Sequence, residues 1–325
     1  MKVIAIAHDP GGANAVAATV ETLRSTQTAV EAYAKGPAIR QFQRLGVPCT
    51  PVSGEHQALF SRLNGDVLVT GTSQSDRFER DAILWAKQQG IPSIALIDYW
   101  ANYRQRFQAS DVPNAELILP DLITAIDEEC AREMMEDGLP ESRIRVVGQP
   151  YFSWLIERKK PLKQQVQLPQ FLFFASQPNA NEVEILQTLI EVLSDYKPLK
   201  QLLVRFHPRQ GQCPASLKLL ERSGLPFAID ESTDVLSTLR QQDCVLGITS
   251  TILIEAAFMG IPVGSIVIGV NDTLATNQWR LTIPLSSSRQ IRLFLQDLKQ
   301  NNDNPGKKFI EQHKFARENI YQLCK

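Results

Sequence analysis

A histidine follows a short, mostly apolar segment in the second half of the chain, in "LLVRFHPRQ", where His207 comes directly after "LLVRF". Two other apolar segments of that half also end in polar residues. Ser176 and Gln177 follow "FLFFA", and the three consecutive residues Thr249, Ser250 and Thr251 follow "CVLGI". In open parallel sheets, ligands bind where the strands reach their carboxyl ends. If these segments are neighbouring strands, the polar side chains share one edge of a sheet and form a candidate ligand site.

The segment "TSTILIEAAFMGIP" adds a helix N-terminus to this group. Thr249 or Ser250 can cap the helix, and the unpaired N–H groups and dipole of its first turn favour a phosphate. Thr251 and Glu255 are four residues apart and therefore lie on one helix face. A carboxylate one turn beyond a phosphate can accept hydrogen bonds from ribose hydroxyls. The pattern predicts a nucleotide site, with a simple cap and a buried salt bridge as the structural alternatives.

Two arginines, Arg205 and Arg209, flank His207, and either could stabilise negative charge on a phosphate. With the helix N-terminus they would do the work of a metal ion, so we expect neither a metal nor another cofactor. The four histidines and five cysteines are scattered, and none of them pairs at the spacing of zinc ligands.

The first half of the chain opens with the apolar segment "VIAIA" and the polar segment "HDPGGAN". His8 and Asp9 stand at the end of a predicted strand, where a general base would face a substrate. Gly11 and Gly12 would let a substrate approach the backbone closely. We expect a loop over "HDPGGAN" and a helix from about Ala15, with a plain turn as the structural alternative.

Further polar side chains follow two other predicted strands of the first half. Asp98 follows "SIALI", and Thr72 and Ser73 follow "VLVTG". Asp9, His8 and Asp98 are the candidate catalytic residues, with Asp9 favoured, and Thr72 and Ser73 are candidate contacts to substrate.

Strands alternate with helices of about a dozen residues along nearly the whole chain, which predicts parallel β-α-β units with helices on both faces of each sheet. The rhythm is interrupted by a basic, glutamine-rich stretch from Lys159 to Gln170, which we interpret as a linker. We therefore predict an α/β protein with two doubly wound, Rossmann-like domains facing a cleft. Their boundaries are 1–160 for an acceptor-side domain, 161–306 for a donor-binding domain and 307–325 for a C-terminal helix.

The motifs "FFASQP", "RFHPR" and "DCVLGITSTILIEAAFMGIP" occur in the order typical of the donor domain of GT-B glycosyltransferases, which the sequence resembles. The His-Pro pair followed by the Ser/Thr element is most similar to bacterial sialyltransferases, capsule transferases and CDP-glycerol glycerophosphotransferases. This resemblance implies that His207, Ser250 and Thr251 contact the donor phosphate and that Glu255 binds ribose. The nucleotide-sugar 2-epimerases share the fold and the His-Pro pair, but usually have Ser-Gly-Gly where this chain has Thr249-Ser250-Thr251.

Composition excludes several other classes of protein. The net charge of −1 gives no sign of a nucleic-acid-binding surface. The five scattered cysteines are typical of a reducing compartment, and the apolar segments are too short or too interrupted for a signal peptide or a transmembrane helix. We expect a soluble, cytoplasmic protein of unknown oligomeric state.

The leading prediction is a metal-independent glycosyltransferase of polysaccharide or specialised glycan biosynthesis. It would move a sugar from a CMP- or UDP-linked donor to a glycan, lipid-linked or small-molecule acceptor. Two alternatives stay open: an epimerase or hydrolase of the UDP-GlcNAc 2-epimerase type, and a non-catalytic protein that binds nucleotide sugars.

Overall fold

The computed structural model describes residues 1–110, 112, 115–159, 168–178, 181–207, 211–270, 274–296, 298 and 306–325. The chain divides into two compact units. The N-terminal unit comprises Met1–Trp154 and Gln312–Lys325, and the C-terminal unit comprises Leu155–Glu311. The greater part of the predicted linker, residues 160–167, lies outside the described residues.

The first unit contains seven strands joined mainly by helices. The strands are β1 (Lys2–Ala7), β2 (Ala29–Lys35), β3 (Thr50–Val52), β4 (Val67–Thr70), β5 (Ser93–Leu96), β6 (Leu122–Ala125) and β7 (Ile144–Val146). The helices up to the end of this segment are α1 (Pro10–Ser25), α2 (Pro37–Arg44), α3 (Gln57–Phe60), α4 (Phe78–Gln89), α5 (Glu128–Glu136) and α6 (Pro150–Glu157).

The seven strands form one sheet in the order β3-β2-β1-β4-β5-β6-β7, and every neighbouring pair is parallel. The chain moves from β1 outward to β3 and then returns to the other side of β1 as β4. Ile4 and Ile6 of β1 pack with Leu68 of β4 and with Phe78 and Ile83 of α4 in a buried cluster. This packing fixes the ends of β1 and β4 side by side.

The second unit repeats the same architecture with six strands. These are β8 (Phe171–Ala175), β9 (Gln201–Arg205), β10 (Phe227–Ile229), β11 (Cys244–Gly247), β12 (Val263–Ile266) and β13 (Ile283–Leu285). The helices that follow α6 are α7 (Glu182–Ser194), α8 (Pro214–Ser223), α9 (Val235–Leu239), α10 (Thr251–Phe258), α11 (Ser288–Gln296), α12 (Gly306–His313) and α13 (Ala316–Cys324).

The sheet of the second unit has the order β10-β9-β8-β11-β12-β13, again with every pair parallel. Its chain order reverses between β8 and β11. Leu172 and Phe174 of β8 pack against Leu186 and Leu189 of α7 in a buried cluster. The predicted fold class, two parallel-sheet Rossmann-like α/β domains, is therefore confirmed.

The C-terminal end differs from the single helix expected over about 307–325. Helix α12 ends at His313, and α13 starts at Ala316 after a two-residue break. The side chain of His313 is fully buried, and its Nδ1 accepts a hydrogen bond from the backbone N–H of Gln149 at 3.2 Å. Its ring also meets the ring of Phe152 edge to face, with centroids 5.3 Å apart. These contacts attach the end of the chain to the segment that follows β7.

The roles assigned to the predicted domains stay predictions, because the fold alone does not identify a donor or an acceptor side. Among the residues that the structure describes, no helix is long and apolar enough to span a membrane.

Candidate functional site

The first candidate site lies at the carboxyl ends of β1 and β4, where the chain order of the N-terminal sheet reverses. Such a reversal point is where open α/β sheets bind ligands. His8 and Asp9 follow β1, and Ser73, Ser75 and Asp76 follow β4. We call these five residues the N-terminal rim.

His8 and Asp9 form a hydrogen-bonded pair within this rim. The Nδ1 atom of His8 lies 2.8 Å from Oδ1 of Asp9. The hydroxyl of Ser75 donates to the same Asp9 oxygen at 2.9 Å, and the Ser73 hydroxyl lies 3.4 Å from His8 Nδ1. The side chain of Asp9 is 29% exposed, against 13% for His8. Asp9 is therefore the member of the pair that is better placed to meet a ligand.

The other ring nitrogen of His8 also faces protein groups. Its Nε2 lies 3.7 Å from Oδ2 of Asp76, which is bonded to Lys35 Nζ at 2.8 Å. Gly36 lies against the same nitrogen, since a Cβ at that glycine would come within 2.8 Å of it. The imidazole is therefore held on both edges, which suits a group that orients Asp9.

The contacts change the acidity of both members of the pair. The hydrogen bond to Asp9 raises the pKa of His8 above its ordinary value, and the negative charges of Asp76 and Glu79 add to this effect against burial. Burial would raise the pKa of Asp9, but hydrogen bonds from His8, Ser73 and Ser75 outweigh it, so that pKa is lowered. The pair is therefore biased towards imidazolium and carboxylate.

A buried carboxyl group, Glu79 of α4, lies behind this pair and was missed in the sequence. Only 2% of the residue is exposed, and its Oε1 accepts a hydrogen bond from the backbone N–H of His8 at 2.7 Å. Burial raises the pKa of Glu79 to about 7. The only signal in the sequence is an acidic residue in the first turn of a helix, which is common because it complements the helix dipole.

Asp98, the third candidate acid–base residue, is held in an ion pair after β5. Its Oδ1 lies 2.5 Å from Nη1 of Arg106, which also donates to the hydroxyl of Thr72 at 2.8 Å. Arg106 is 8% exposed and so links two predicted site residues from a buried position. Nothing in the sequence distinguishes this arginine from the other polar residues of "ANYRQRF".

The segment "HDPGGAN" differs from the loop that we expected, because α1 begins at Pro10 instead of near Ala15. Proline is favoured in the first turn of a helix, where its missing N–H costs nothing. Asp9 occupies the N-cap position, but its side chain makes no capping hydrogen bond. The carboxylate is directed to His8 and Ser75 instead, although an aspartate at this position commonly caps a helix.

Gly11 and Gly12 lie inside the first turn of α1 and are needed for close packing. A Cβ at Gly11 would overlap the carboxylate of Asp98. A Cβ at Gly12 would come within 3.0 Å of the Thr72 backbone nitrogen and 3.1 Å of Gly71 Cα. In the structure these glycines admit neighbouring protein groups, and their predicted contact with substrate stays a prediction.

The second candidate site lies at the reversal point of the C-terminal sheet. Ala175 pairs with Arg205 and with Gly247, so the residues that follow are level on the three strands. Polar side chains come directly after these paired positions on β8, and two residues after them on β9 and β11. We call the following five residues the C-terminal rim: Ser176, Gln177, His207, Thr249 and Ser250. Neighbouring strands lie about 5 Å apart, which brings these groups to within reach of one small ligand.

Two buried side-chain atoms directly after β8 have no hydrogen-bond partner within the part of the chain that the structure describes. These are the hydroxyl of Ser176, whose residue is 3% exposed, and Oε1 of Gln177. The backbone N–H of Ser176 still bonds to the Arg205 carbonyl at 2.9 Å, which keeps the sheet ladder intact to this point. Buried polar groups normally have hydrogen-bond partners, so these two atoms are candidates for ligand contacts.

Helix α10 starts at this rim as predicted from its sequence. Ser250 is the N-cap, and its hydroxyl accepts from the backbone N–H of Ile252 at 3.4 Å. Thr251 is exposed at the first helical position, whereas Glu255, one turn later, is only 6% exposed. Gly247 lets the helix pack closely, since a Cβ there would come within 2.7 Å of Leu253 Cδ1.

The two predicted arginine contacts have different outcomes. Nη1 of Arg205 lies 2.5 Å from Oδ2 of Asp230 and donates to the carbonyl of Ser232 at 3.0 Å. These contacts tie β9 to the end of β10, and a ligand role for Arg205 stays a prediction. Arg209 lies outside the described residues. Within the described ranges, no group of three or more His, Cys, Asp and Glu residues is arranged to hold a metal ion.

No protein-family model matches the chain, and no curated protein sequence matches it. Solved structures do share its fold. The UDP-GlcNAc 2-epimerase from Neisseria meningitidis, bound to UDP-GlcNAc, is similar with a TM-score of 0.69 and 13% identity over 99% of each chain. The enzyme of that name from Methanocaldococcus jannaschii, in complex with UDP-GlcNAc and UDP, has a TM-score of 0.67 and 15% identity over 99% of each chain.

A glycotransferase of kitacinnamycin is also similar, with a TM-score of 0.57 and 14% identity over 99% of this chain and 95% of that one. At such identities the likeness shows a shared fold. The GT-B-like fold that the resemblance implied is thus confirmed. The narrower resemblance to sialyltransferases and capsule transferases finds no support among these structures.

The prediction of a glycosyltransferase is wrong as the leading interpretation. Several of the similar structures are UDP-GlcNAc 2-epimerases, and they favour the epimerase alternative instead. The physical reason for the error is that a helix N-terminus with a nearby histidine and carboxylate suits a nucleotide diphosphate whatever happens to the sugar. The substitution of Ser-Gly-Gly by Thr249-Ser250-Thr251 was therefore a poor guide to the reaction.

Proposed function

We propose that the protein is an enzyme of the UDP-GlcNAc 2-epimerase type, which acts on a nucleotide-activated sugar without an acceptor. The observation that carries this proposal is the set of polar groups at the reversal point of the C-terminal sheet, next to the N-terminus of α10. The fold shared with UDP-GlcNAc 2-epimerases over nearly the full length of both chains supports the choice of reaction.

The C-terminal rim would bind the nucleotide. Backbone N–H groups at the start of α10, with Ser250 and Thr251, would hold a phosphate, and His207 would donate to the same group. Glu255, on the helix face of Thr251, would accept hydrogen bonds from ribose hydroxyls. Further contacts are proposed for Ser176, Gln177 and Thr249. A helix N-terminus stabilises charge that develops on a departing diphosphate, which is what sugar activation requires.

The N-terminal rim would supply the acid–base groups. Inverting a sugar carbon that bears hydrogen requires one group to remove a proton and a group to return one on the other face. Asp9 is the proposed proton-transfer group, because it is ionised by its hydrogen bonds and more exposed than His8. His8 would orient it and share its charge. Asp98 is the less favoured candidate, because its carboxylate is already bound by Arg106.

Incubation of the protein with UDP-GlcNAc alone tests this proposal. The expected result is conversion to a UDP-sugar of the same mass with an altered proton NMR spectrum. Hydrolysis would be recognised by release of UDP and a free sugar. Binding of UDP-GlcNAc in calorimetry with no conversion would favour a non-catalytic nucleotide-sugar-binding protein. Neither binding nor conversion of UDP-GlcNAc, CMP-sugars or GDP-sugars would contradict the proposal.

A further inference from the structure

The carboxyl group of Glu79 is placed in a way that a structural role alone does not explain. One oxygen accepts from the backbone N–H of His8 at 2.7 Å. The other oxygen is buried without a hydrogen-bond partner among the residues that the structure describes. A glutamine at this position could accept the same backbone hydrogen bond and remain neutral. A buried carboxylate costs free energy unless its charge is paired and hydrogen-bonded.

The charge of Glu79 acts on His8, which is also close to other charged side chains. Asp9 lies on its own segment, Asp76 follows β4, and Glu79 lies on α4. Lys35, at the end of β2, is the cation nearby, and it is bonded to Asp76. The ion pair with Lys35 offsets the charge of Asp76. Besides Asp9 and Asp76, Glu79 is a third carboxylate whose negative charge favours a proton on His8.

We propose that Glu79 is a positioning residue for the His8–Asp9 pair. It fixes the backbone at His8 and, when ionised, supports the protonated imidazole that orients the Asp9 carboxylate. The catalytic consequence rests on the proposed function, but the coupling between Glu79 and His8 does not. Two groups coupled in this way titrate as a unit, because a proton on His8 favours ionised Glu79 and its loss favours the protonated acid.

Burial raises the pKa of Glu79 to about 7, and the hydrogen bond to Asp9 raises the pKa of His8 above its ordinary value. Ionised Glu79 and protonated His8 favour each other, because opposite charges attract. The carboxyl then serves as a nearby charge that follows the state of His8 without touching the substrate.

The test compares the titration of His8 in the full-length wild type and in Glu79→Gln, by NMR of the imidazole nitrogens. The resonances of His8 are assigned by their absence from His8→Asn. Removal of a nearby negative charge makes a cation less favourable, so the pKa of His8 is expected to fall in Glu79→Gln. Glu128→Gln, at an exposed position of α5, is the matched control and should leave it unchanged. Because glutamine preserves the backbone hydrogen bond, an unchanged His8 titration in Glu79→Gln would overturn the proposal.

A second measurement needs no substitution of Glu79 and covers the case in which Glu79→Gln does not fold. In wild-type protein labelled with carbon-13 at the glutamate carboxyls, the Glu79 resonance should change at its own titration and again as His8 titrates. A Glu79 signal that ignores the protonation of His8 would overturn the coupling. Neither result depends on turnover, so a failure of the proposed function would be recognised separately, by unconverted nucleotide sugar.

If turnover is found, its pH profile gives a further readout. The limb of kcat/KM that reports His8 should move to lower pH in Glu79→Gln, in the direction of the NMR shift. A uniform loss of activity at all pH values with no shift of the limb would assign Glu79 a structural role only, and so contradict the proposal.

Discussion

At the scale of single residues, Asp9 is the side chain on which the proposed chemistry depends most. It stands at the N-cap of α1 without capping it, and its carboxylate is bonded to His8 and Ser75. Asp9→Asn removes the proposed base but preserves the size of the side chain. We expect kcat to fall by about 100-fold or more, as is typical for loss of a general base, with the Kd for UDP unchanged.

Kinetics and calorimetry with UDP check this expectation. The matched control is Asp195→Asn, because the Asp195 side chain is 73% exposed and pairs with Arg292 on the surface. Full turnover in Asp9→Asn would show that another group transfers the proton.

Glu255 carries the second expectation at this scale. It is 6% exposed in α10, on the same helix face as Thr251. If it accepts hydrogen bonds from ribose, Glu255→Gln should weaken UDP binding by roughly tenfold to a hundredfold, since a hydrogen bond to a charged group contributes about 1.5–3 kcal/mol. His207→Ala should weaken it similarly. Calorimetry measures the UDP affinity of both variants, and Glu221→Gln, at an exposed position of α8, is the control. Equal UDP affinity in Glu255→Gln and the wild type would exclude the ribose contact.

Part of these candidate sites could be predicted from the sequence, because a polar residue directly after an apolar strand lies at the edge of a sheet. His8, Asp9, His207 and Ser250 follow apolar strands, so their place at a sheet edge could be predicted. Glu79 could not, because an acid in a first helical turn has an ordinary explanation. The directions of these side chains depend on tertiary contacts that leave no mark on local sequence.

At the scale of elements, the first turn of α1 is built around the space that Gly11 leaves for Asp98. Gly11→Ala would force the Asp98 carboxylate away from Arg106. We expect a loss of roughly 1–3 kcal/mol in the free energy of unfolding, as for other overpacked sites. Chemical denaturation measures this loss.

A double-mutant cycle provides the control for that expectation. In an Asp98→Ala background the added methyl group meets no carboxylate, so Gly11→Ala should cost much less than in the wild type. An equal cost in both backgrounds would mean that the strain lies in the helix backbone and not in the contact with Asp98.

The junction between α12 and α13 gives an expectation about pH. Burial lowers the pKa of His313 to about 3, below its ordinary value of 6.5. Between these two values the folded state binds fewer protons than the unfolded state. The free energy of unfolding therefore decreases as the pH falls below about 6.5. Between pH 7 and pH 5 this loss is roughly 2 kcal/mol.

The contribution of His313 to the pH dependence of stability is isolated by comparing the wild type with His313→Gln. This comparison is needed because Glu79 changes the stability with pH in the opposite direction. The raised pKa of Glu79 contributes stability at low pH that is lost as pH rises through about 7. The substitution should therefore destabilise the protein less at pH 5 than at pH 7. Denaturation curves at the two pH values check this, and an equal effect of the substitution at both would contradict it.

The element pattern was the best-predicted part of the molecule. The starts of β1, β2, β8 and α10 follow from runs of apolar residues and their boundaries. The start of α1 did not, because "HDPGGAN" contains two glycines that favour a loop. Their close approach to Asp98 and Thr72 explains why glycine is needed at these two helical positions.

At the scale of the whole molecule, two parallel sheets were predictable because strands and helices alternate throughout both halves. The reaction was not predictable to the same extent. A GT-B-like fold and a helix N-terminus suited to a phosphate are compatible with both transfer and epimerisation, so the motifs predict a ligand class better than a reaction. UDP-GlcNAc 2-epimerases share this fold, and they favour epimerisation over transfer as the proposed reaction.

The proposed epimerisation is tested most directly by incubating UDP-GlcNAc with the full-length protein in heavy water, without any acceptor, and following the sugar by NMR. We expect deuterium to replace the hydrogen on one sugar carbon as an epimeric UDP-sugar accumulates, and we expect Asp9→Asn to suppress both changes. A nucleotide sugar that binds to the protein but keeps its configuration and all of its carbon-bound hydrogen would exclude epimerisation.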